Sequence, residues 1–194
     1  MINKIIMISV ISTASLMSSN VLAGQPGVVY GGIQYASLDA TISVDGTTIP
    51  EDFSPTALIG RVGSNINQNF SIEGRLGLGL SDDTITATDG VDTASLSVEL
   101  DTLIGVYGIG HIMLNETSSV YGLIGFSKLD GTITASLTNF GSASISEDES
   151  GLSYGIGADI GVGNNVALNL EYVQYLNKSD FDVSALAAGV KFGF

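Results

Sequence analysis

The residues of this chain that could do chemistry are a few isolated charges: Arg61, Glu73, Arg75, Glu99, Asp159, Glu171 and Lys191. Each except Glu171 has Gly, Ser or another single charge two positions away on at least one side. In an extended segment it therefore shares a face with small residues rather than with a solvated charge run. Bases and acids in rough balance on such a face point to ion pairing, because a charge withdrawn from water must meet its opposite. His111 is the sole histidine and cysteine is absent, so no His or Cys cluster is available for a transition metal. The glycine-rich runs follow strand alternation rather than the start of a phosphate-binding helix, and no cofactor is expected.

Three acidic stretches remain: Asp45, Glu51 and Asp52; Asp82, Asp83, Asp89 and Asp92; and Glu147, Asp148 and Glu149, the last with no compensating base in sequence. They offer ligands to Ca²⁺ or Mg²⁺, or a docking patch to a basic partner. No twelve-residue ligand spacing appears, which favours solvated loops. A formal charge of −14 excludes a nucleic-acid partner.

The elements that must position these charges are strands. Val28 to Ala40, Thr56 to Ile66, Phe70 to Leu80, Leu96 to Met113, Ser119 to Leu137, Leu152 to Val162, Val166 to Leu176 and Ser184 to Phe194 alternate with period two. Phe70, Ile72, Leu76, Leu78 and Leu80 share one face, and Ser71, Glu73, Arg75, Gly77 and Gly79 the other. Short turns at Asn67–Asn69, Leu114–Ser118 and Gly163–Asn165 alternate with long connections at 41–54, 81–95 and 138–151, the second formed by its two strands rising further to a turn near Asp89-Gly90, and 177–180 links the last two strands. Eight antiparallel strands with short turns at one end and long loops at the other form an up-and-down barrel. About 10 residues per crossing, tilted, match an apolar band roughly 25 Å tall.

The chain ends carry targeting signals. Lys4, the apolar stretch Ile5 to Met17 and Val21-Leu22-Ala23 read as a signal peptide over 1–23 cleaved after Ala23, leaving one domain over 24–194. The last strand, SALAAGVKFGF, closes on Phe194 with Phe192 two back and Gly189 five back. It resembles the C-terminal signal read by the barrel-assembly machinery, except that Ala187 stands where that signal carries a polar residue.

Orientation follows from side-chain size. The polar face is lined with Gly, Ala and Ser between charges, which suits a narrow interior better than a solvated exterior. Mean hydropathy is positive despite the acidic charge, as for a body in hydrocarbon with loops in water. Phe70, Tyr121, Phe192 and Phe194 near one end, and Tyr35, Phe126, Tyr154 and Tyr172 near the other, are placed as interfacial girdles.

The segments GLSYGIGADIGVGNNVALNLEYVQYL, VSALAAGVKFGF and ALIGRVGSNINQNFSIEGRLG together make the chain similar to the small outer-membrane β-barrel proteins of the OmpA/OmpX and opacity-protein type. The resemblance implies an all-β, eight-stranded transmembrane barrel of the bacterial outer membrane, among its lipids and lipopolysaccharide. No peptidoglycan-binding domain is expected after Phe194, unlike in full-length OmpA. Lipid A deacylases of this shape carry Ser two residues after the catalytic His, where Met113 stands here, so catalysis is not expected. The expected role is envelope-structural or surface-interacting with a plugged polar interior. A narrow channel for small or hydrophobic solutes and an adhesin are the alternatives.

Overall fold

The computed structural model describes residues 26–44, 47–48, 53–89, 92–163, 165–178 and 181–194. The expected leader with its cleavage point after Ala23, and Asp45, Glu51 and Asp52 of the first acidic stretch, lie outside them.

In chain order the strands are β1 (Val29–Val44), β2 (Thr47–Thr48), β3 (Thr56–Asn65), β4 (Phe70–Ser81), β5 (Asp83–Asp89), β6 (Asp92–Met113), β7 (Ser119–Leu137), β8 (Gly141–Gly161), β9 (Val166–Asn177) and β10 (Phe181–Gly193). β1, β3, β4, β6, β7, β8, β9 and β10 pair antiparallel in that order, and β10 returns to β1 with Tyr30 opposite Gly193 and Ile42 opposite Phe181. Eight strands thus close into a barrel, which leaves no free sheet edge in the membrane. β2 is a short addition to β1, and β5 continues the course of β4 along β6.

Two of the tight turns are fixed by asparagine. The side-chain oxygen of Asn67 accepts from the backbone N–H groups of Asn69 and Phe70, each at 2.9 Å, and that of Asn115 accepts from the N–H of Thr117 at 2.9 Å. These Asx turns reverse the chain without a long loop, which holds one end of the barrel close to the bilayer.

Side-chain polarity decides which face meets lipid. Leu76 and Leu170 are 53% and 54% exposed on the perimeter, whereas Glu73 and Lys191 are each 1% exposed on the inside. Apolar side chains look outward and charges inward, which is a membrane barrel and the reverse of a soluble one.

At the opposite end the third long connection differs from its reading as a loop. Thr138 to Gly151 is mostly strand. β7 and β8 form one hairpin from Ser119↔Asp159 to Leu137↔Gly141, turning through Asn139 (φ 71°) and Gly141 (φ 95°). Ser-Ala-Ser-Ile-Ser alternates hydroxyl and apolar residues just as Thr-Ile-Thr-Ala-Ser of β7 does, so the two pair in register. With the β5–β6 hairpin they build a four-stranded sheet standing above the barrel.

On the outward face of this sheet the chemistry changes at one level. Leu80 gives way to Asp82, Ile104 to Thr102, Phe126 to Lys128 and Leu152 to Ser150. Beyond that level the outward face is a ladder of hydroxyls, with Thr84–Ser97 at 2.9 Å, Thr134–Ser144 at 2.9 Å and Thr132–Ser146 at 3.0 Å. The ladder marks where hydrocarbon ends and water begins.

Candidate functional site: the charged interior

The alternation that puts Leu76 in lipid puts Glu73 and Arg75 of β4 on the axis, opposite Arg61 of β3. Arg61 Nε donates to Glu73 Oε2 at 3.0 Å, and Arg75 Nε donates to Glu73 Oε1 at 2.7 Å, so one carboxylate holds both guanidinium groups. Arg75 then reaches across the lumen to Glu171 of β9, donating through Nη1 at 2.5 Å and Nη2 at 2.8 Å in a bidentate fork. The Tyr121 hydroxyl donates to Glu171 Oε2 at 2.6 Å.

A second pair adjoins the first. Lys191 Nζ of β10 donates to Asp159 Oδ2 of β8 at 2.8 Å, and Asn169 Nδ2 donates to Asp159 Oδ1 at 2.6 Å. Asn169 Oδ1 accepts from Arg61 Nη1 at 3.1 Å and from Gln34 Nε2 at 2.6 Å, which joins the two clusters into one. The interior therefore holds three cations, Arg61, Arg75 and Lys191, against three anions, Glu73, Asp159 and Glu171, all buried. Balanced and forked, the set gives every buried charge an opposite partner, the main condition for holding charge out of water, while Arg61 Nη2 lies 2.8 Å from Glu73 Oε2 without hydrogen-bond geometry.

Aromatic rings complete the packing. Tyr30 lies opposite Gly63, Tyr107 opposite Gly125 and Tyr121 opposite Gly157, and a Cβ at any of these glycines would run into the ring. The missing side chains let the rings lie flat across the interior. Lys191 Nζ sits 4.0 Å from the centre of the Tyr30 ring, and the Arg75 guanidinium carbon 4.5 Å from that of Tyr107.

Two expected placements are corrected. Glu99 does not join the interior and instead points outward. Leu100 pairs with Gly131 and Thr102 with Asp130, so Asp101 is an extra bulged residue. Below it Leu103 and Tyr107 face inward, and above it Leu100 and Val98 do, so the parity that would bring Glu99 to the axis is reversed. Tyr121, expected in a girdle, is a buried interior residue. Of the groups not singled out, Gln34, Asn169 and the tyrosines stand two residues from glycines or charges on the same face. That periodicity was the signal available.

His111 sits at the short-turn end, its Nε2 2.9 Å from Ser71 Oγ and its Nδ1 3.3 Å from Ser119 Oγ. Both ring nitrogens are engaged by hydroxyls and neither by a carboxylate. Among the described residues no three His, Asp or Glu side chains come together in a geometry that would hold a metal ion. The Glu147–Glu149 stretch lies on strand β8, not on a loop, and it has cationic partners in space: Lys128 Nζ lies 3.2 Å from Asp148 and 3.1 Å from Asp130, and Lys178 pairs with Glu149. At the C-terminal end Phe192 and Phe194 face outward, a Cβ on Gly189 would collide with the backbone of β1, and the Phe194 N–H donates to the Val29 carbonyl at 2.9 Å.

Above the charges the interior is apolar. Leu38, Phe53, Ile59, Leu103, Leu129 and Val183 are buried there, so the lumen is filled by two layers of opposite character.

Known structures share this architecture. Ail, the attachment invasion locus protein of Yersinia pestis, superposes with a TM-score of 0.55 at 19% identity over 88% of this chain and all of its own. Neisserial surface protein A gives 0.52 at 18% identity over 86% and 97%, and OprG of Pseudomonas aeruginosa 0.53 at 13% over 90% and 99%. Comparison with curated proteins finds no match. The profile of the outer membrane protein beta-barrel domain matches residues 7–194. With its closed eight-stranded wall and lipid-facing perimeter, the chain belongs to the outer membrane protein beta-barrel domain family and is a bacterial outer-membrane protein.

Proposed function

We propose that this protein is a non-enzymatic component of the outer membrane, closed along its axis by its own side chains, that stiffens the envelope and presents an acidic sheet outside. The observation that carries this reading is the six-charge interior, in which each carboxylate and each cation is engaged by a neighbour. An eight-stranded barrel has only enough lumen for its own side chains, so ions crossing it would first have to break these pairs.

Planar-bilayer recording of the refolded full chain tests it. The expected trace shows no steady conductance, and a large steady conductance would establish the channel reading instead.

The height of the external sheet favours a surface-interaction role as part of this function. Ail, a structural neighbour, is described as an attachment protein and was solved with the heparin analogue sucrose octasulfate. Here the corresponding region carries Asp82, Asp130, Glu147, Asp148 and Glu149 against Lys128 and Lys178, so a basic partner fits and a sulfated polyanion does not. Binding of the full chain to polylysine-coated and heparin-coated surfaces separates the two. Retention on heparin with none on polylysine would refute the charge argument.

A further inference from the structure

The outer mouth contains a cavity of about 220 Å³, walled by Leu38 and Ala40 of β1, Leu100 of β6, Leu129 of β7, Leu176 of β9 and Val183 of β10. It is larger than the ~150 Å³ apolar cavity that stays dry and takes up benzene. Its lining atoms lack apolar neighbours on one side, and an apolar guest would supply them.

The lip of this cavity is chemically one-sided. Glu147 and Glu149 alternate on the inward face of β8 and both border it. Glu149 is taken by Lys178, whereas Glu147 makes no hydrogen bond or ion pair among the described residues. Lys128, the other cation of this region, lies on the opposite face of the hairpin between Asp130 and Asp148. A carboxylate head entering here would meet like charge, and an ammonium head would meet an unpaired glutamate.

We infer that the outer mouth is a binding site for a compact apolar molecule bearing a cationic head, with its body against Leu38, Leu100, Leu129, Leu176 and Val183 and its ammonium group at Glu147. This goes beyond the envelope role and needs no passage through the barrel.

The test uses the full chain refolded into phospholipid nanodiscs, with three probes that share a 2-phenylethyl body: 2-phenylethylammonium, 2-phenylethanol and 3-phenylpropanoate. Calorimetric titration, with empty nanodiscs as the partitioning blank, is expected to show saturable binding in the order ammonium, alcohol, carboxylate. Glu147→Gln is expected to weaken the ammonium about fivefold, as for an exposed ion pair, and to leave the alcohol unchanged. Leu100→Phe, which fills the cavity, is expected to remove both; if its heat-modifiable gel shift is lost, Ala40→Leu replaces it from the facing wall. Absence of saturable ammonium binding, equal binding of ammonium and carboxylate, or a Glu147→Gln titration identical to that of the unmodified chain would overturn the inference. Conductance is measured without probe, so a conducting barrel that still binds the ammonium leaves this site standing while refuting the closed interior.

Discussion

The two halves of the interior are filled by different physics. Toward the short turns, Arg61, Glu73, Arg75, Asp159, Glu171 and Lys191 hold one another through directed hydrogen bonds. Toward the outside, Ile59, Leu103, Leu129 and Val183 fill the same cylinder by contact alone. The lower layer fails abruptly when one member is lost, because the buried set is left with an uncompensated charge. The upper layer tolerates change in proportion to volume, and it leaves a cavity where its packing ends.

Substitutions can break this contrast. Glu171→Ala removes the bidentate partner of Arg75, leaving three buried cations against two anions, and is expected to cost roughly 3–5 kcal/mol, read as a lower urea midpoint of the heat-modifiable gel shift. Leu103→Ala, in the apolar layer, is expected to cost about 2–3 kcal/mol in the same titration, with the barrel still closed. If the two losses were reversed in size, the distinction between the layers would not hold.

Tyr121→Phe sharpens the picture within the polar layer. It removes the charge-assisted hydrogen bond to Glu171 and one acceptor of Asn169 Nδ2 while keeping the ring over Gly157, and about 1.5 kcal/mol or slightly more is expected from the same measurement. By contrast, Lys128→Met removes two exposed ion pairs on the outer sheet and is expected to leave the midpoint unchanged.

The smallest effect is a pH effect. Asp82 lies outside the membrane at the joint of β4 and β5, where hydrogen bonds from Ser97 and Thr84 hold its carboxyl below the usual carboxylate range. Because the folded-state value is depressed, its contribution is present above the ordinary carboxylate pKa and is lost as pH falls through the folded value. Amide exchange in the β5–β6 hairpin, corrected for intrinsic rate, is expected to rise slightly at acid pH in the unmodified chain and not in Asp82→Asn.

Much of this was legible in the residues themselves. Period-two alternation around Glu73, Arg75, Asp159, Glu171 and Lys191 is the pattern that brings them to one axis. Glu99 was misplaced because nothing in Glu-Leu-Asp-Thr-Leu announces a bulge; its cause lies in the pairing of Leu100 and Thr102 with a neighbouring strand. The Ser-rich segment 138–151 reads as a loop because its residues are also turn formers, although Ala143 and Ile145 alternate with Ser142, Ser144 and Ser146. The apolar layer was hidden by runs such as Leu103-Ile104, where one side chain packs inside and the next faces lipid, so composition alone cannot separate them.

The change from Leu80, Ile104, Phe126 and Leu152 to Asp82, Thr102, Lys128 and Ser150 works like the waterline of a hull. Sinking the barrel by one more residue pair, about 7 Å of strand, would drag a carboxylate and an ammonium into acyl chains. Raising it by the same amount would bare a ring of leucine, isoleucine and phenylalanine to water. The depth at which the molecule floats is therefore written into four adjacent strands, and a membrane of different thickness must bend to meet them.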